Sequence, residues 1–395
     1  MSRTVQFAVF FLIMSAVTGG VHFYLWLRLV RDPMLPAPWR AIATATIVLL
    51  GLLIPASFFA RRFLGFTPQA LYWVVMLWLG TMFLLFVFVL GADVVRLGAW
   101  ILEKLFGDKP TSPERRLFFS RLIGGGIAGT VAVLTATAMR AVTRLQVKRI
   151  RVPLARLPRS LHGTRIVQLT DIHVGPTVRR DFVQAMVDKV NALEPDVIAI
   201  TGDLVDGTVA ELGHHTEPLA QLRAKHGVYF VTGNHEYYAG VTPWLAELQR
   251  LGIRVLRNER VSIGSGEDSF DLAGVDDWNS RGFPGHGHDL ARAVEGRDPG
   301  RELVLLAHQP RAIHDAAKHG VGLQLSGHTH GGQIWPWGYF VYLQQPYVAG
   351  LSRHQDRTWI YVSDGTGYWG PPMRLGSVAE ITEVVLESAP LGGPA

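Results

Sequence analysis

The chain has 395 residues, of which 48% are apolar, and it carries a formal net charge of +6. A chain of this length is long enough for more than one domain. It contains no cysteine, which excludes disulfides, cysteine-ligated zinc and thiol nucleophiles.

Charge is unevenly divided along the chain. Residues 1–160 hold 19 Lys and Arg against 5 Asp and Glu, a balance of +14, and residues 161–395 hold 19 against 27, a balance of −8, which together give +6. A basic first part made of apolar blocks predicts a membrane region, so a lipid bilayer is an expected partner. The acidic second part argues against a nucleic-acid-binding surface.

Four apolar runs predict a multi-pass transmembrane region over residues 1–140. They are Phe7 to Leu27, Ala41 to Ala60, Leu71 to Leu90 and Leu122 to Met139. About 20 apolar residues are enough for a helix to cross a bilayer, although the weakly hydrophobic fourth run is also compatible with a buried core helix. After the third run, Leu97 to Phe106 is amphipathic and predicts a segment lying along the membrane surface.

The stretch Ser112 to Phe119 bears on the orientation of the chain in the membrane. It contains Arg115-Arg116 ahead of the Gly-rich fourth run and resembles a twin-arginine export signal. As such a signal, it predicts that residues 115–121 are cytoplasmic and that the domain after Met139 is extracytoplasmic. The alternative is a basic loop that flanks a helix.

Residues 141–163 are predicted to be a basic connector, in which an extended segment from Leu145 to Val152 begins the soluble part. Residues 164–388 are predicted to form the catalytic domain and 389–395 a flexible tail. Strand and helix patterns alternate over this domain, which favours an α/β fold. The predicted strands are Arg165 to Thr170, Asp196 to Thr201, Gly227 to Thr232, Glu302 to Ala307, Gly322 to Ser326, Thr358 to Ser363 and Val378 to Leu386, and the predicted helices are Val178 to Leu193, Val209 to Lys225 and Trp244 to Leu251.

Residues with metal-ligating side chains follow five of the predicted strands. They are Asp171 and His173, Asp203 and Asp206, Asn234 and His235, His308, and the pair His328 and His330. Open α/β sheets form their active sites at the carboxyl ends of strands. Mixed oxygen and nitrogen ligands suit Mn, Fe or Zn more than Ca. The sequence therefore predicts a site for two divalent cations, with manganese favoured.

The chemistry of such a site assigns roles to three residues. Two ions about 3.5–4 Å apart need a shared ligand, and Asp203, at the end of a central strand, is predicted to provide it. A water between the ions would lose a proton near neutral pH and attack phosphorus. His235 is predicted to protonate or stabilise the leaving oxygen, and Asp206 to hold its imidazole by a hydrogen bond.

The ordered motifs resemble those of the calcineurin-like metallophosphoesterases. They are Asp171-x-His173, Gly202-Asp203-x-x-Asp206, Gly233-Asn234-His235-Glu236, His308 and Gly327-His328-Thr329-His330. Pro372 to Ser377 resembles the membrane-linked branch of that family. The resemblance implies a sandwich of two mixed sheets flanked by helices. It also implies one metal bound by Asp171, His173, Asp203 and His330, and a second bound by Asp203, Asn234, His308 and His328.

These patterns predict a membrane-anchored, dinuclear-metal phosphohydrolase. We expect a phosphodiesterase that acts on a phosphorylated amphiphile or a small phosphoester. An alternative is a membrane sensor or transport module regulated by the metal domain, although His22 is almost the only ionisable side chain within the apolar runs. A protein phosphatase is disfavoured, because nothing in the sequence indicates a peptide groove.

Aromatic residues late in the chain allow two interpretations. Trp335, Trp337, Tyr339, Tyr368 and Trp369 are predicted either to line a cleft near lipid or to pack within the domain.

Overall fold

The computed structural model describes residues 3–64, 67–106, 112–355 and 357–389. These residues form two compact units. The first comprises the described residues up to Met139 together with Gly370–Pro372, and the second those from Arg140 to Trp369 and from Met373 onward. The predicted tail 389–395 lies outside the described residues except for Ala389.

The first unit contains four long helices. They are α1 (Arg3–Trp26, continued by the π-helical turn Leu27–Arg31), α2 (Ala37–Leu64), α3 (Gln69–Phe106) and α4 (Pro113–Ala141). Each is long and apolar enough to cross a membrane, which confirms the predicted multi-pass region. The amphipathic stretch Leu97 to Phe106, predicted to lie along the membrane surface, forms the last part of α3, which runs through it without interruption for 38 residues. No proline stands in that stretch to end the helix.

His22, the ionisable residue noted within the first apolar run, has partners on both ring nitrogens. Its Nδ1 lies 2.7 Å from the carbonyl oxygen of Thr18, and Trp78 donates to its Nε2 at 2.8 Å. Polar groups inside a bilayer must be satisfied by the protein itself. His22 therefore joins α1 to α3 as a structural contact.

The second unit is built from two six-stranded mixed sheets. Strands in the first are β1 (Leu145–Leu154), β2 (Arg165–Leu169), β3 (Val197–Ile200), β4 (Val228–Phe230), β5 (Arg254–Val255) and β12 (Ala379–Ser388). Strands in the second are β6 (Glu259–Ser265), β7 (Asp268–Gly274), β8 (Leu303–Leu306), β9 (Leu323–Ser326), β10 (Gly350–His354) and β11 (Thr358–Val362). The spatial orders are β1-β12-β2-β3-β4-β5 and β10-β11-β9-β8-β7-β6.

Helices α5 (Arg180–Asn191), α6 (Val209–Thr216) and α8 (Val241–Arg250) pack on the outer face of the first sheet, and α9 (Leu290–Ala293) and α10 (Ile313–Lys318) on that of the second. Two further short helices, α7 (Asn234–Ala239) and α11 (Gly338–Val341), lie in the segments after β4 and β9. The helix predicted from Val209 to Lys225 ends early, at Thr216, and continues as the 3-10 turn Glu217–Gln221. Pro218 explains the change, because proline cannot donate the backbone hydrogen bond that an α-helix needs.

Alternation of side chains along the strands produces three hydrophobic layers. In β8, Val304 and Leu306 point between the sheets, whereas Leu303 and Leu305 face the outer helices. In β3, Val197 lies in the layer between the sheets. Successive side chains of a strand point to opposite faces, so both faces of these central strands are buried. A fully buried aliphatic or aromatic side chain contributes about 1.5–3 kcal/mol to stability. The two-sheet α/β sandwich predicted from the sequence is confirmed.

Several strands differ from the sequence-based expectation. The long edge strand β1 contains the predicted extended segment Leu145 to Val152, but it pairs in parallel with β12 along its whole length, so part of the predicted connector 141–163 belongs to the first sheet. The hairpin β6–β7 and the edge strand β10 were not predicted. The edge strands β6 and β10 expose polar residues, which removes the apolar run by which the central strands were recognised.

Candidate metal centre

All the residues singled out as ligands or catalytic groups follow the carboxyl ends of five strands. The strands are β2, β3 and β4 in the first sheet and β8 and β9 in the second, and each set is parallel. Their carboxyl ends meet at one end of the sandwich, and the polar side chains collect there. Strands β3 and β8 are wholly apolar and buried, and every residue of β2 after Arg165 is buried, so the site has a rigid base.

The backbone at this end is unusual. Ten non-glycine residues of the described chain have positive φ, and five of them are predicted ligands: Asp171, His173, Asp203, His328 and His330. Such a conformation is strained for side chains other than glycine and tends to occur at functional sites. The positive φ angles turn the polar side chains that follow each strand toward the other predicted ligands.

A first cluster joins Asp171, His173 and His330. The Nε2 atoms of His173 and His330 lie 3.1 Å apart, and His330 Nε2 lies 3.4 Å from Asp171 Oδ1. All three residues are buried. Thr170 donates its hydroxyl to Asp171 Oδ2 at 2.7 Å, and the backbone N–H of His328 donates to the same carboxylate. These hydrogen bonds hold the Asp171 carboxylate in a fixed orientation within the cluster.

A second cluster joins Asp203, His308 and His328. His308 Nε2 lies 3.1 Å from Asp203 Oδ2 and 3.2 Å from His328 Nδ1. Asp203 Oδ2 also lies 3.9 Å from His173 Nε2 of the first cluster. Asp203 therefore lies within reach of both clusters. Asn234, the remaining predicted ligand, begins α7, and its Oδ1 is buried without a hydrogen-bond partner in the described part of the chain.

The orientation of the imidazoles suits a cation in each cluster. His308 Nδ1 lies 2.8 Å from the carbonyl oxygen of Thr201, which can only accept, so that nitrogen carries the proton. His173 Nδ1 likewise donates to Asp206 at 2.8 Å. Nε2 is therefore the ring nitrogen that each histidine directs into its cluster. Burial opposes protonation of His173 and His308, but Asp206 and Asp203 outweigh it and raise the pKa of both rings. A cation bound in the cluster would take the place of such a proton, and the residues present fit such an ion.

Burial also keeps two of the histidines in the form that binds metals. Burial and the neighbouring His308 lower the pKa of His328 to about 3. Burial and the neighbouring His173 hold the pKa of His330 well below its usual range. A neutral imidazole is the ligating form. For Asp203, burial opposes ionisation, but His308 and the other nearby imidazoles outweigh it and keep the pKa of the carboxyl well below normal.

Asp206 connects the first cluster to His235. Its Oδ1 accepts from His235 Nδ1 at 2.7 Å and from His173 Nδ1 at 2.8 Å. The contact with His235 is the one expected from the sequence. The contact with His173 was missed, because spacing along the chain does not tell which imidazole a carboxylate will meet. One carboxylate thus orients both a candidate ligand and the candidate catalytic group.

Glu236 has a structural role that the sequence motif did not reveal. Its buried carboxylate accepts from the backbone N–H groups of Gly233 at 2.7 Å, Asp203 at 3.0 Å and Leu204 at 2.8 Å. It therefore ties the loop after β3 to the loop after β4. The sequence signal for this role was the position of an acidic residue directly after Asn234 and His235. A carboxylate buried at that place needs several hydrogen-bond donors, and the nearby backbone N–H groups can supply them.

Arg374 fixes the other side of the site and was also missed. This arginine is 2% exposed. Its guanidinium donates to the carbonyl oxygens of Gly365, Gly367 and His330, the shortest at 2.6 Å. The planar group satisfies several acceptors at once and so holds the backbone of His330. The only sequence signal for this role of Arg374 was its position in the motif Pro372 to Ser377.

Glycines allow the loops to approach one another. A Cβ on Gly327 would overlap Asp171 Oδ2 and Thr170 Oγ1, and one on Gly233 would overlap Asp203 Oδ1. Glycine is therefore required at both positions, because the carboxylate of Asp171 or of Asp203 occupies the space that a side chain would fill.

We expect Gly327→Ala to impair the first cluster. The added methyl must displace the Asp171 carboxylate, and a shift of about 1 Å at a catalytic site can cost about 100-fold in rate. Gly213→Ala is the matched control, because a Cβ at this position in α6 would meet Val209 at an ordinary 3.5 Å. Metal content and hydrolysis rate of the two variants provide the test. Equal values would show that the close approach of Gly327 to Asp171 is unimportant.

Of the aromatic residues for which the sequence left two interpretations open, one is buried and four are exposed. Tyr368 is buried, whereas Trp335, Trp337, Tyr339 and Trp369 are 49%, 52%, 69% and 55% exposed. The ring centre of Trp369 lies 5.7 Å from that of His235, so this side chain borders the site.

The fold and the two clusters define a metallophosphoesterase. Residues 164–332 match the family model described as calcineurin-like phosphoesterase. The transmembrane protein with metallophosphoesterase domain of Danio rerio is 38% identical over 98% of this chain and 90% of its own length. The bovine protein of the same name is 46% identical over 67% of this chain, which spans only 61% of that protein. An uncharacterised metallophosphoesterase of Campylobacter jejuni is 30% identical over 95% of this chain and 97% of its own length.

The chain therefore belongs to the calcineurin-like metallophosphoesterase family. It combines a metallophosphoesterase domain with four helices that can span a membrane. Its buried His and Asp clusters are consistent with the two-metal site typical of that family.

Proposed function

We propose that this protein is a membrane-anchored phosphoester hydrolase that uses two divalent cations, with manganese as the favoured metal. The observation that carries the proposal is the position of Asp203 Oδ2, 3.1 Å from His308 Nε2 and 3.9 Å from His173 Nε2. A carboxylate between two groups of imidazole acceptors suits a ligand shared by two ions.

The proposed ligand sets follow the two clusters. Asp171, His173 and His330 would hold one ion, and Asn234, His308 and His328 the other, with Asp203 shared. When bound, such a pair of ions lowers the pKa of a water, orients the phosphoryl group and offsets its charge.

His235 is proposed to act on the leaving oxygen. Burial favours the neutral ring, but the hydrogen bond to Asp206 and the charge of Asp203 outweigh it and raise the pKa of His235 to about 9. A protonated imidazole at neutral pH can donate its Nε2 proton or stabilise negative charge. Since Nδ1 is engaged by Asp206, Nε2 is the atom directed at a substrate, and it lies 4.0 Å from Asp203 Oδ2.

We propose a phosphodiester as the substrate class, in a phosphorylated amphiphile or a small phosphoester. Arg374 is the buried cation beside His330, and its guanidinium is already directed at protein oxygens. It is thus engaged elsewhere and does not offer the extra positive charge that would favour a phosphomonoester dianion. The membrane spans support a substrate that is itself found in or near lipid.

Metal removal tests the proposal. We expect the purified full chain, in detergent, to hydrolyse bis-p-nitrophenyl phosphate with Mn²⁺, to lose this activity in EDTA, and to regain it when Mn²⁺ is restored. The release of p-nitrophenolate gives the rate, and p-nitrophenyl phosphate provides the monoester comparison. An unchanged rate in EDTA would contradict the metal-dependent reaction, and faster turnover of the monoester would contradict the proposed substrate class.

A further inference from the structure

A long uncharged segment begins directly after His330. Residues 331–352 contain no Asp, Glu, Lys, Arg or His, yet they include six aromatic side chains: Trp335, Trp337, Tyr339, Phe340, Tyr342 and Tyr347. Surface segments of a soluble domain usually carry charges, and aromatic residues usually face a core. This composition therefore requires a partner surface or a buried position.

The structure exposes most of these side chains. Eight large apolar side chains are exposed among the described residues 142–389, and six of them lie within residues 335–343, which we call the aromatic segment. The six are Trp335, Trp337, Tyr339, Phe340, Tyr342 and Leu343. Contiguous exposed apolar surface of this kind marks a site of interaction.

The aromatic segment is held in a defined shape. It contains α11, whose Phe340 ring lies 5.5 Å from that of Trp337. At its end, Arg311 donates to the carbonyl oxygen of Gln344 at 2.6 Å. Ahead of it, the Gln333 side chain and the backbone of Trp369 exchange two hydrogen bonds of 2.8 and 3.0 Å. The apolar side chains thus project outward from a fixed support.

The remaining exposed apolar side chains lie beside the candidate site. They are Tyr238 and Trp369, whose ring centres lie 5.4 and 5.7 Å from that of His235. Through Gln333, Trp369 is joined to the start of the aromatic segment. Every exposed large apolar side chain in residues 142–389 that the structure describes therefore belongs to the aromatic segment or borders His235.

We propose that the aromatic segment lies in the interface of a lipid bilayer. Trp and Tyr concentrate at membrane interfaces, where the ring meets hydrocarbon and the N–H or O–H meets water. The absence of charge suits lipid and offers no ion pair to a protein or nucleic-acid partner. The chain itself contains four helices that can span a bilayer, and only residues 142–144 separate the fourth from β1. A membrane is therefore always available to this domain.

The aromatic segment would then be a second lipid contact, outside the transmembrane helices and beside the candidate metal centre. A phosphoester in the headgroup layer would reach His235 without leaving the membrane. The contact itself does not depend on the proposed hydrolysis, so the two can fail separately.

Site-directed spin labelling tests the contact in the full chain. Since the chain has no cysteine, Tyr339→Cys gives a single nitroxide site in protein reconstituted in lipid nanodiscs. Glu267→Cys, in the exposed turn between β6 and β7, is the matched control. We expect the label at 339 to be more accessible to oxygen and several-fold less accessible to a water-soluble nickel complex than the label at 267.

Two other outcomes would overturn the proposal. Nickel accessibility at 339 equal to that at 267 would mean that the aromatic segment stays in water. Low accessibility to both reagents would mean that protein covers it. Leu343→Cys, at a position 82% exposed, provides a second label site if Tyr339→Cys folds poorly, and unchanged metal content verifies the fold of each variant.

Discussion

Replacing Asp203 by alanine is expected to abolish both metal binding and hydrolysis. Asp203 Oδ2 is the ligand atom within 4 Å of imidazoles in both clusters, so its loss should weaken both proposed ion sites together. Shared metals contribute several kcal/mol of transition-state stabilisation, which corresponds to a fall in kcat/KM of at least about 10³-fold. Bound metal per chain and the rate on bis-p-nitrophenyl phosphate are the measurements.

Asp188→Ala is the matched control for this variant. Asp188 is an exposed aspartate near the end of α5, so its removal changes the net charge equally without touching the site. It should retain wild-type metal content and rate. If Asp203→Ala retained two ions per chain, or turned over substrate at the rate of Asp188→Ala, the shared-ligand role would be wrong.

Replacing His235 by asparagine is expected to slow the reaction while leaving the metals bound. Its Nδ1 is engaged by Asp206, and its proposed task concerns the leaving oxygen alone. Loss of a general acid typically costs about 10²–10⁴-fold in rate. We expect kcat to fall by this amount with little change in KM or in metal content.

The dependence on leaving group separates this role from a structural one. p-Nitrophenolate leaves without help, so the loss in His235→Asn should be smaller for p-nitrophenyl esters than for alkyl esters. His314→Asn, an exposed histidine in α10, should behave as wild type. An equal loss for both esters, or loss of bound metal, would argue that His235 supports the site and does not act as the acid.

The sequence was sufficient to predict the central part of the fold. Strands β3 and β8 are short, wholly apolar runs followed by polar residues, a pattern typical of strands that are buried on both faces. The four membrane helices were predictable for a similar reason, since their length and apolar composition are themselves the physical requirement for spanning a bilayer.

Features that depend on contacts between distant segments were not predictable. In the hairpin β6–β7, strand β6 forms the edge of its sheet, where polar residues face solvent and the apolar pattern weakens. The contact of Asp206 with His173 and the hydrogen bonds that Glu236 accepts from three backbone N–H groups depend on how the loops meet. The positive φ at Asp171 and Asp203 likewise follows from packing around them and has no local signal.

Anomalous diffraction from crystals of the full chain grown with Mn²⁺ tests the central claim most directly. We expect two manganese peaks about 3.5–4 Å apart, with Asp203 between them. One should be bound by Asp171, His173 and His330, and the other by Asn234, His308 and His328. A single peak, or two peaks that do not share Asp203, would contradict it.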